Sequence, residues 1–360
     1  MPNYSRCGNL FLVKNMKRGM AMATLKELSE RTGYSQATIS RILNGDQTLS
    51  VTEEVRRIVL EEAGKSNYNE TRSRRGRTPK SLLRVGVAEM LTPAQQLNDP
   101  YYLYLGNYVK QGCLDKRFAY IQLENRGETF VLPRGEKLDG IVAIGSFSTS
   151  QIESLANLNS NIVFVDSSPF ESRFDSVVLG YELGISLALE HLEALKHREI
   201  GFVGPVYKYN DRHQNALEVR RQLFIRLMEA RGGYDPDLML DCTMDIESTV
   251  AAWKEYLKAG KELPSAVVCA NEENAMGTLK ALQQEGYSIP KDVSVVSFND
   301  TPRSALVSPS LTSVSINTQE MANTALRMLA ERVAVSGKAP VRSLPLKVIV
   351  PPTLVIREST

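Results

Sequence analysis

Near the N-terminus, apolar residues recur at helical spacing in three short stretches. Leu25 and Leu28 mark the first, Ile39, Ile42 and Leu43 the second, and Val51, Val55, Ile58 and Val59 the third. Each stretch carries one apolar stripe and a polar opposite face, so the pattern predicts three helices closing a small core over residues 22–68. Thr24 with Glu27 and Ser50 with Glu53 have the capping-box spacing, which places two of the helix starts; the third helix should run to about Gly64. Gly33 can take the positive φ that a sharp turn between the first two helices demands.

From Leu82 the pattern changes. Short apolar runs (LLRVGVA, FAYIQL, GIVAIG, IVFVD, DSVVL) alternate with helical segments, and a second series follows with EIGFVG, LMLDC, SAVVCAN and VSVVSFND. Continuous Val/Ile runs with helices between them predict parallel strands buried on both faces, an α/β body over residues 82–360. A helix over Ile316 to Val335 comes next, and LKVIVPPTLVIRES closes the chain with strands rather than a heptad tail.

Between head and body lies NETRSRRGRTPKS, with five basic residues and no large apolar side chain, so residues 69–81 read as a linker. The first 80 residues hold 15 Lys/Arg against 8 Asp/Glu, a balance of +7, while the whole chain carries only +2. A basic end on a near-neutral protein suits a nucleic-acid partner, because Lys and Arg displace counterions from phosphates. With 42% hydrophobic content, 360 residues suffice for more than one core. Cys7, Cys113, Cys242 and Cys269 lie far apart without a C-x-x-C pair, which argues against a zinc site or a disulfide framework and fits a reducing cytoplasm. No apolar run is long enough to span a membrane and no secretion signal is evident, so no membrane partner is expected. Residues 1–21 are assigned no role.

On the second helix, Gln36, Ala37, Ser40 and Arg41 are left facing outward. This set suits the major groove: an amide for adenine, a methyl for the thymine methyl, a guanidinium for guanine or phosphate. Thr24, Ser35, Thr38 and Asn44 complete the candidate DNA-facing group. An ordinary solvated helix pair is the alternative, since polar faces are common on surface helices.

The stretch ATLKELSERTGYSQATISRILNGDQTLSVTEEVRRIVLEEAGKSNY resembles the N-terminal head of the lactose/galactose repressor family, and the looser similarity extends to Thr360. DQTLSV and NDPYYL look most like repressors of galactose and β-galactoside operons. In that family the linker folds into a hinge helix on DNA and a leucine wedges into the minor groove. Here that position is Gly76 or Arg77, so Arg74, Arg75 and Arg77 are the candidates to enter a narrow minor groove by charge. A merely solvated linker is the alternative.

The two strand series resemble the periplasmic sugar-binding fold, the body of the same family. This implies doubly wound parallel sheets in two subdomains, residues 82–179 with 317–345 and residues 180–316 with 346–360, and a ligand between them. Strand C-termini at a switch point form the natural crevice of open α/β sheets, which supports that place independently. Asp166, Asn271, Asn299 and Asp300 directly follow or end strands there. Carboxylates and amides can accept from and donate to sugar hydroxyls, and an arginine can bridge two of them. The resemblance places ligand contacts at Asp166, Asn271 and Asn299, and a ligand arginine four residues before an aromatic, which falls on Arg220 with Phe224; Arg221 is the alternative register. Asn299 stands where some relatives carry aspartate. Asp99 can cap the helix opened by NDPYYL, and Tyr101, Tyr102 or Tyr104 can stack on a sugar or pack in the core. Asp and Asn also serve as turn and cap residues, which is the alternative for each.

Nucleophile-elbow, dinucleotide and P-loop motifs are missing from the sequence, and His191, His197 and His213 lack metal-ligand spacing, so no enzyme, metal or cofactor is expected. His191 reads as a partly buried helical residue. The expectation is a cytoplasmic, homodimeric DNA-binding repressor whose body senses a small sugar, galactose or a galactoside, as inducer. A purine-type corepressor protein and a sugar-binding protein without DNA function are the alternatives.

Overall fold

A computed structural model describes residues 25–43, 46, 49–65, 83–97, 99–209, 215–333 and 339–360. The chain divides into two units, residues 1–80 and 81–360.

The first unit holds α1 (Leu25–Thr32), α2 (Gln36–Leu43) and α3 (Glu53–Lys65). Leu28, Ile39, Ile42, Val59 and Ala63 form its buried core, with Leu25, Leu43, Val51 and Val55 packed around them. Gly33 turns the chain at φ 76°, as its place between the helices requires. Two expectations are corrected. The cap of α3 is Thr52, whose hydroxyl accepts from the Val55 amide at 3.4 Å; Ser50 lies too far from the first turn. Ile58 is 38% exposed, because Val55, Val59 and Ala63, each four apart, make the inward stripe and Ile58 sits about 100° around the helix from Val59. Thr24, Asn44, Arg74, Arg75, Gly76 and Arg77 lie outside the described residues.

The second unit opens with β1 (Arg84–Glu89), α4 (Pro93–Gln96), α5 (Pro100–Asp115), β2 (Ala119–Gln122), the small β3–β4 ribbon (Glu124–Asn125, Phe130–Val131), β5 (Gly140–Ile144), α6 (Thr149–Leu158), β6 (Ile162–Val165) and β7 (Asp175–Leu179). It continues with α7 (Tyr181–Ala194), β8 (Ile200–Gly204), the β9–β10 hairpin strands (Tyr207–Tyr209, Asn215–Leu217), α8 (Val219–Ala230), β11 (Met239–Asp241), α9 (Ile246–Lys258), β12 (Ala266–Cys269), α10 (Glu272–Gln284), β13 (Ser294–Asn299) and β14 (Thr312–Ser315). The chain ends with α11 (Thr318–Arg332), β15 (Lys347–Val350) and β16 (Thr353–Val355).

These strands build two six-stranded sheets, ordered β15-β7-β6-β5-β1-β2 and β11-β8-β12-β13-β14-β16. All pairings within them are parallel except β14 with β16. Every residue of β5, β6, β8 and β12 is buried, which is why these strands read as unbroken apolar runs. Three crossovers join the sheets: after β7, after β14, and between β15 and β16. The last corrects the expected boundary at residue 346. Lys347 to Val350 pair with Ser176 to Leu179 of the first sheet, so the chain crosses at Pro351–Pro352. Both final runs read as strands, and nothing in their pattern says which sheet each joins.

Candidate DNA-reading helix and ligand crevice

On α2 the side chains divide as the stripe requires: Ile39 and Ile42 are buried, Gln36, Ala37 and Arg41 are exposed, and Ser40 is half-buried. Ser35 accepts from the Thr38 amide at 3.1 Å and its hydroxyl meets that of Thr38 at 2.9 Å, so this pair caps the start of the helix. Arg41 Nε donates to Asp46 at 2.8 Å, holding a half-exposed guanidinium at the end of the outward face.

In the body, Asp166, Asn299 and Asp300 end strands with φ of 72°, 94° and 54°. This left-handed backbone is uncommon away from glycine, and Asn and Asp tolerate it best. Tyr102 donates to Asp166 Oδ2 at 2.8 Å, and Tyr181 donates to Oδ1 at 3.3 Å. The buried Tyr101 ring meets Tyr102 edge-on at 4.9 Å, and the Tyr101 hydroxyl is buried without a partner.

Asp99 precedes α5 but makes no side-chain cap bond, which corrects the expected capping role. Its ψ of 82° lies outside the extended range that aims a cap side chain at the first amides. Its Oδ1 is buried without a hydrogen-bond partner. Burial pushes this carboxyl above its ordinary pKa, against the pull of Lys208.

Arg220 and Arg221 separate. Arg220 is 4% exposed, donates from Nε to Glu218 at 2.8 Å, and lies over the rings of Tyr181 at 5.4 Å and Phe298 at 5.9 Å. Burial opposes its charge, but Glu218 and the other negative groups around it, Asp166 among them, raise its pKa above the ordinary value. Arg221 donates to the carbonyls of Pro205 at 3.1 Å and of Gly204 and Leu240 at 3.3 Å, and pairs with Asp241. It braces the ends of β8 and β11.

Asn271 caps α10, accepting from the Asn274 amide at 2.9 Å, and donates to Glu273 at 3.2 Å and to the Met244 carbonyl at 3.5 Å. Asp300 Oδ1 lies 2.7 Å from Arg357 Nη1 without the alignment of a hydrogen bond. Asn299, Asp300, Tyr101 and Tyr104 border a space of about 60 Å³.

Several residues of this region escaped the sequence reading. Tyr181 opens α7 immediately after a strand, a position that signalled only a helix start. Glu218 lies two residues before Arg220 and orients it. Glu272 accepts from Thr301 and Ser304, fastening α10 to the turn at Pro302–Ala305. Glu273, also buried, pairs with Arg303 at 2.7 Å; burial and the negative charge of Asp99 push its carboxyl up to about 7. Two residues after Asn271, it was hidden inside an amphipathic helix.

The arrangement combines aromatic rings, one buried guanidinium and several carboxyl and amide groups, which suits a hydroxyl-rich ligand. His191 is half-buried on α7 and meets the Thr360 hydroxyl at 2.9 Å. Among the described residues, no cluster of His, Cys, Asp or Glu fits a metal ion, and no helix is long and apolar enough to cross a membrane.

Residues 189–360 match the model of a periplasmic binding protein-like domain, and residues 16–53 match that of a helix-turn-helix. The chain is 30% identical over 319 residues to the HTH-type transcriptional regulator GalR of Streptococcus thermophilus, covering 89% of this chain and 95% of that one. It is 31% identical to the HTH-type transcriptional regulator GanR of Bacillus subtilis (strain 168), covering 87% and 93%. Among solved structures, the transcriptional regulator CelR in complex with cellobiose superposes with a TM-score of 0.63 at 21% identity, covering 94% of this chain and 100% of that one.

Proposed function

Given that the chain belongs to the lactose/galactose repressor (LacI) family of DNA-binding transcriptional repressors, and is no enzyme, we propose that it is induced by galactose or a galactoside. The observation that carries this reading is the group around Asp166: two tyrosine hydroxyls on its carboxylate, and the Arg220 guanidinium stacked on one of the same tyrosines. Planar groups with fixed donors and acceptors recognise vicinal hydroxyls, and the aromatic faces exclude water from them. The relative named GalR supports a sugar by kinship, and CelR in complex with cellobiose shows the same fold holding one.

In this reading Gln36, Ala37, Ser40 and Arg41 face base edges and phosphates, and Arg74, Arg75 and Arg77 add charge at the minor groove. Asp166, Arg220, Asn271 and Asn299 hold the sugar, with Asp99, Tyr101, Tyr102 and Asp300 around it. Two heads in a cytoplasmic homodimer read a two-fold operator. A ligand shifts operator binding only by its differential affinity for two body conformations, so the sugar favours the one that releases DNA.

The test is binding of the full chain to DNA fragments flanking its own gene, with and without galactose, galactosides, ribose and purines. Galactose-type sugars should release the DNA. Release by ribose alone, or tightening by a purine, would assign a different effector.

A further inference from the structure

We propose that the head carries its own competitor for DNA: the Asp46 carboxylate, held on Arg41 by Arg56 of α3, contends with phosphate for the Arg41 guanidinium and so lowers affinity for DNA of every sequence. Arg56 is the positioning residue of this arrangement, acting on DNA through two residues that it keeps in place.

The backbone brings the two charges together. Arg41 lies in the last turn of α2, and the Asp46 amide donates to the Arg41 carbonyl at 3.0 Å, a bond of the kind that satisfies the orphan carbonyls where a helix ends. With that bond made, the Asp46 carboxylate accepts from Arg41 Nε at 2.8 Å. The guanidinium is 49% exposed and the carboxylate 28%, so the pair sits at the surface, at the end of the outward face of α2. Among the described residues of the head it is the shortest ion pair and the one that engages α2: Lys26 meets Glu30 at 4.0 Å, and Arg31 meets Glu62 and Arg57 meets Glu61 at 3.5 Å.

Arg56 fixes the chain that carries Asp46. Its Nη2 donates to the carbonyls of Asp46 and Leu49, at 3.0 Å each. Leu49 packs against the small core of the head and Arg56 belongs to α3, so both ends of this clamp are tied to the packed helices. An exposed ion pair between two loose side chains loses much of its attraction to side-chain entropy. Here backbone bonds place the carboxylate beforehand, and less is lost.

A phosphate that meets Arg41 must share the guanidinium with Asp46 or displace it. Carboxylate and phosphate accept the same charge-assisted hydrogen bonds from an arginine, so the exchange gains less than a phosphate contact made without a rival. Phosphates carry no sequence information, and the reduction therefore falls on operator and unrelated DNA alike.

Binding of the full chain to a mixed-sequence duplex at low salt, followed by fluorescence anisotropy, tests this. Asp46→Asn should tighten binding about two- to fivefold, equivalent to ~0.4–1 kcal/mol. Arg56→Lys keeps the charge but lacks the planar fork that reaches both carbonyls, and it should shift binding in the same direction. Against an Arg41→Ala background, where nothing is left to compete for, Arg56→Lys should have no effect, and any gain from Asp46→Asn measures only the lost negative charge. Weaker binding by Asp46→Asn would show that the carboxylate orients Arg41 for DNA, which overturns the competition. Equal gains from Asp46→Asn in the parent and in Arg41→Ala overturn it as well. If Arg56→Lys weakens binding in both backgrounds, with or without a lower melting temperature, Arg56 acts on the fold or on DNA directly and its positioning role is overturned.

Discussion

The Tyr181 hydroxyl donates to Asp166 Oδ1 at 3.3 Å, and this bond spans the crevice: Asp166 follows a strand of the first sheet, while Tyr181 opens a helix packed on the second. Tyr181 also packs against the cores of both subdomains, so its ring and its hydroxyl hold the two in the same arrangement. Removing the hydroxyl in Tyr181→Phe keeps the packing and removes one hydrogen bond to a carboxylate, on the order of 1.5–3 kcal/mol at most. Sugar affinity should fall roughly tenfold with little change in melting temperature, measured by operator-release titration and calorimetry. An unchanged release midpoint would show that the bond does not distinguish the two conformations.

Adjacent arginines should fail in different ways. Arg220→Ala removes a guanidinium stacked within the crevice, and the variant is expected to bind operator yet ignore sugar. Its Glu218 partner is buried, so Arg220→Lys serves as the control that keeps the charge. Arg221→Ala strips donors from three backbone carbonyls and should destabilise the body by at least ~2 kcal/mol. Denaturant melts beside operator titrations separate the outcomes; a stable Arg220→Ala protein with normal sugar release would exclude that residue from the site.

Gln36 and Arg41 are expected to differ on DNA. Gln36→Ala should relax preference at one base pair by ~1–3 kcal/mol. Arg41→Ala should weaken binding to all sequences and flatten its salt dependence by about one unit of log–log slope. Because Arg41 also bonds Asp46, Asp46→Asn provides the complementary measurement: weakening that bond should leave binding intact or strengthen it. Parent-like behaviour of both Gln36→Ala and Arg41→Ala would remove α2 from the DNA interface.

Glu273 makes stability depend on pH in a definite direction. Its carboxyl is raised from 4.5 to about 7 in the folded body, so between those values the native state holds more proton than the unfolded chain. The associated stabilisation is complete below pH 4.5 and is lost as pH rises through about 7, with a slope of no more than ~1.4 kcal/mol per pH unit. Glu273→Gln should remove this component, gaining on the parent as pH rises from 5 to 8. Parallel melting curves for the two proteins over that range would contradict it.

The three helices of the head, the α/β alternation of the body and the polar ends of its strands all follow from local pattern, because helix stripes and buried parallel strands impose periods visible in a single chain. The outward set Gln36, Ala37 and Arg41 was legible for the same reason: once Ile39 and Ile42 face the core, the remaining positions of α2 have nowhere else to point. What tertiary structure decided is pairing. Adjacent arginines are equivalent by pattern, and only the packing of α8 sends Arg220 toward Tyr181 and Arg221 toward the ends of β8 and β11. Thr52 rather than Ser50 caps α3, because both hydroxyls precede the same apolar run and the backbone selects one. Strand β15 joins the first sheet and β16 the second, since a strand's sheet is set by distant partners: Ser176 to Leu179, some 170 residues away, for β15, and Ser313 to Ser315 for β16. Glu273 and Arg303 meet through a fold of the chain that no periodicity records, and their burial, rather than their identity, raises the carboxyl of Glu273.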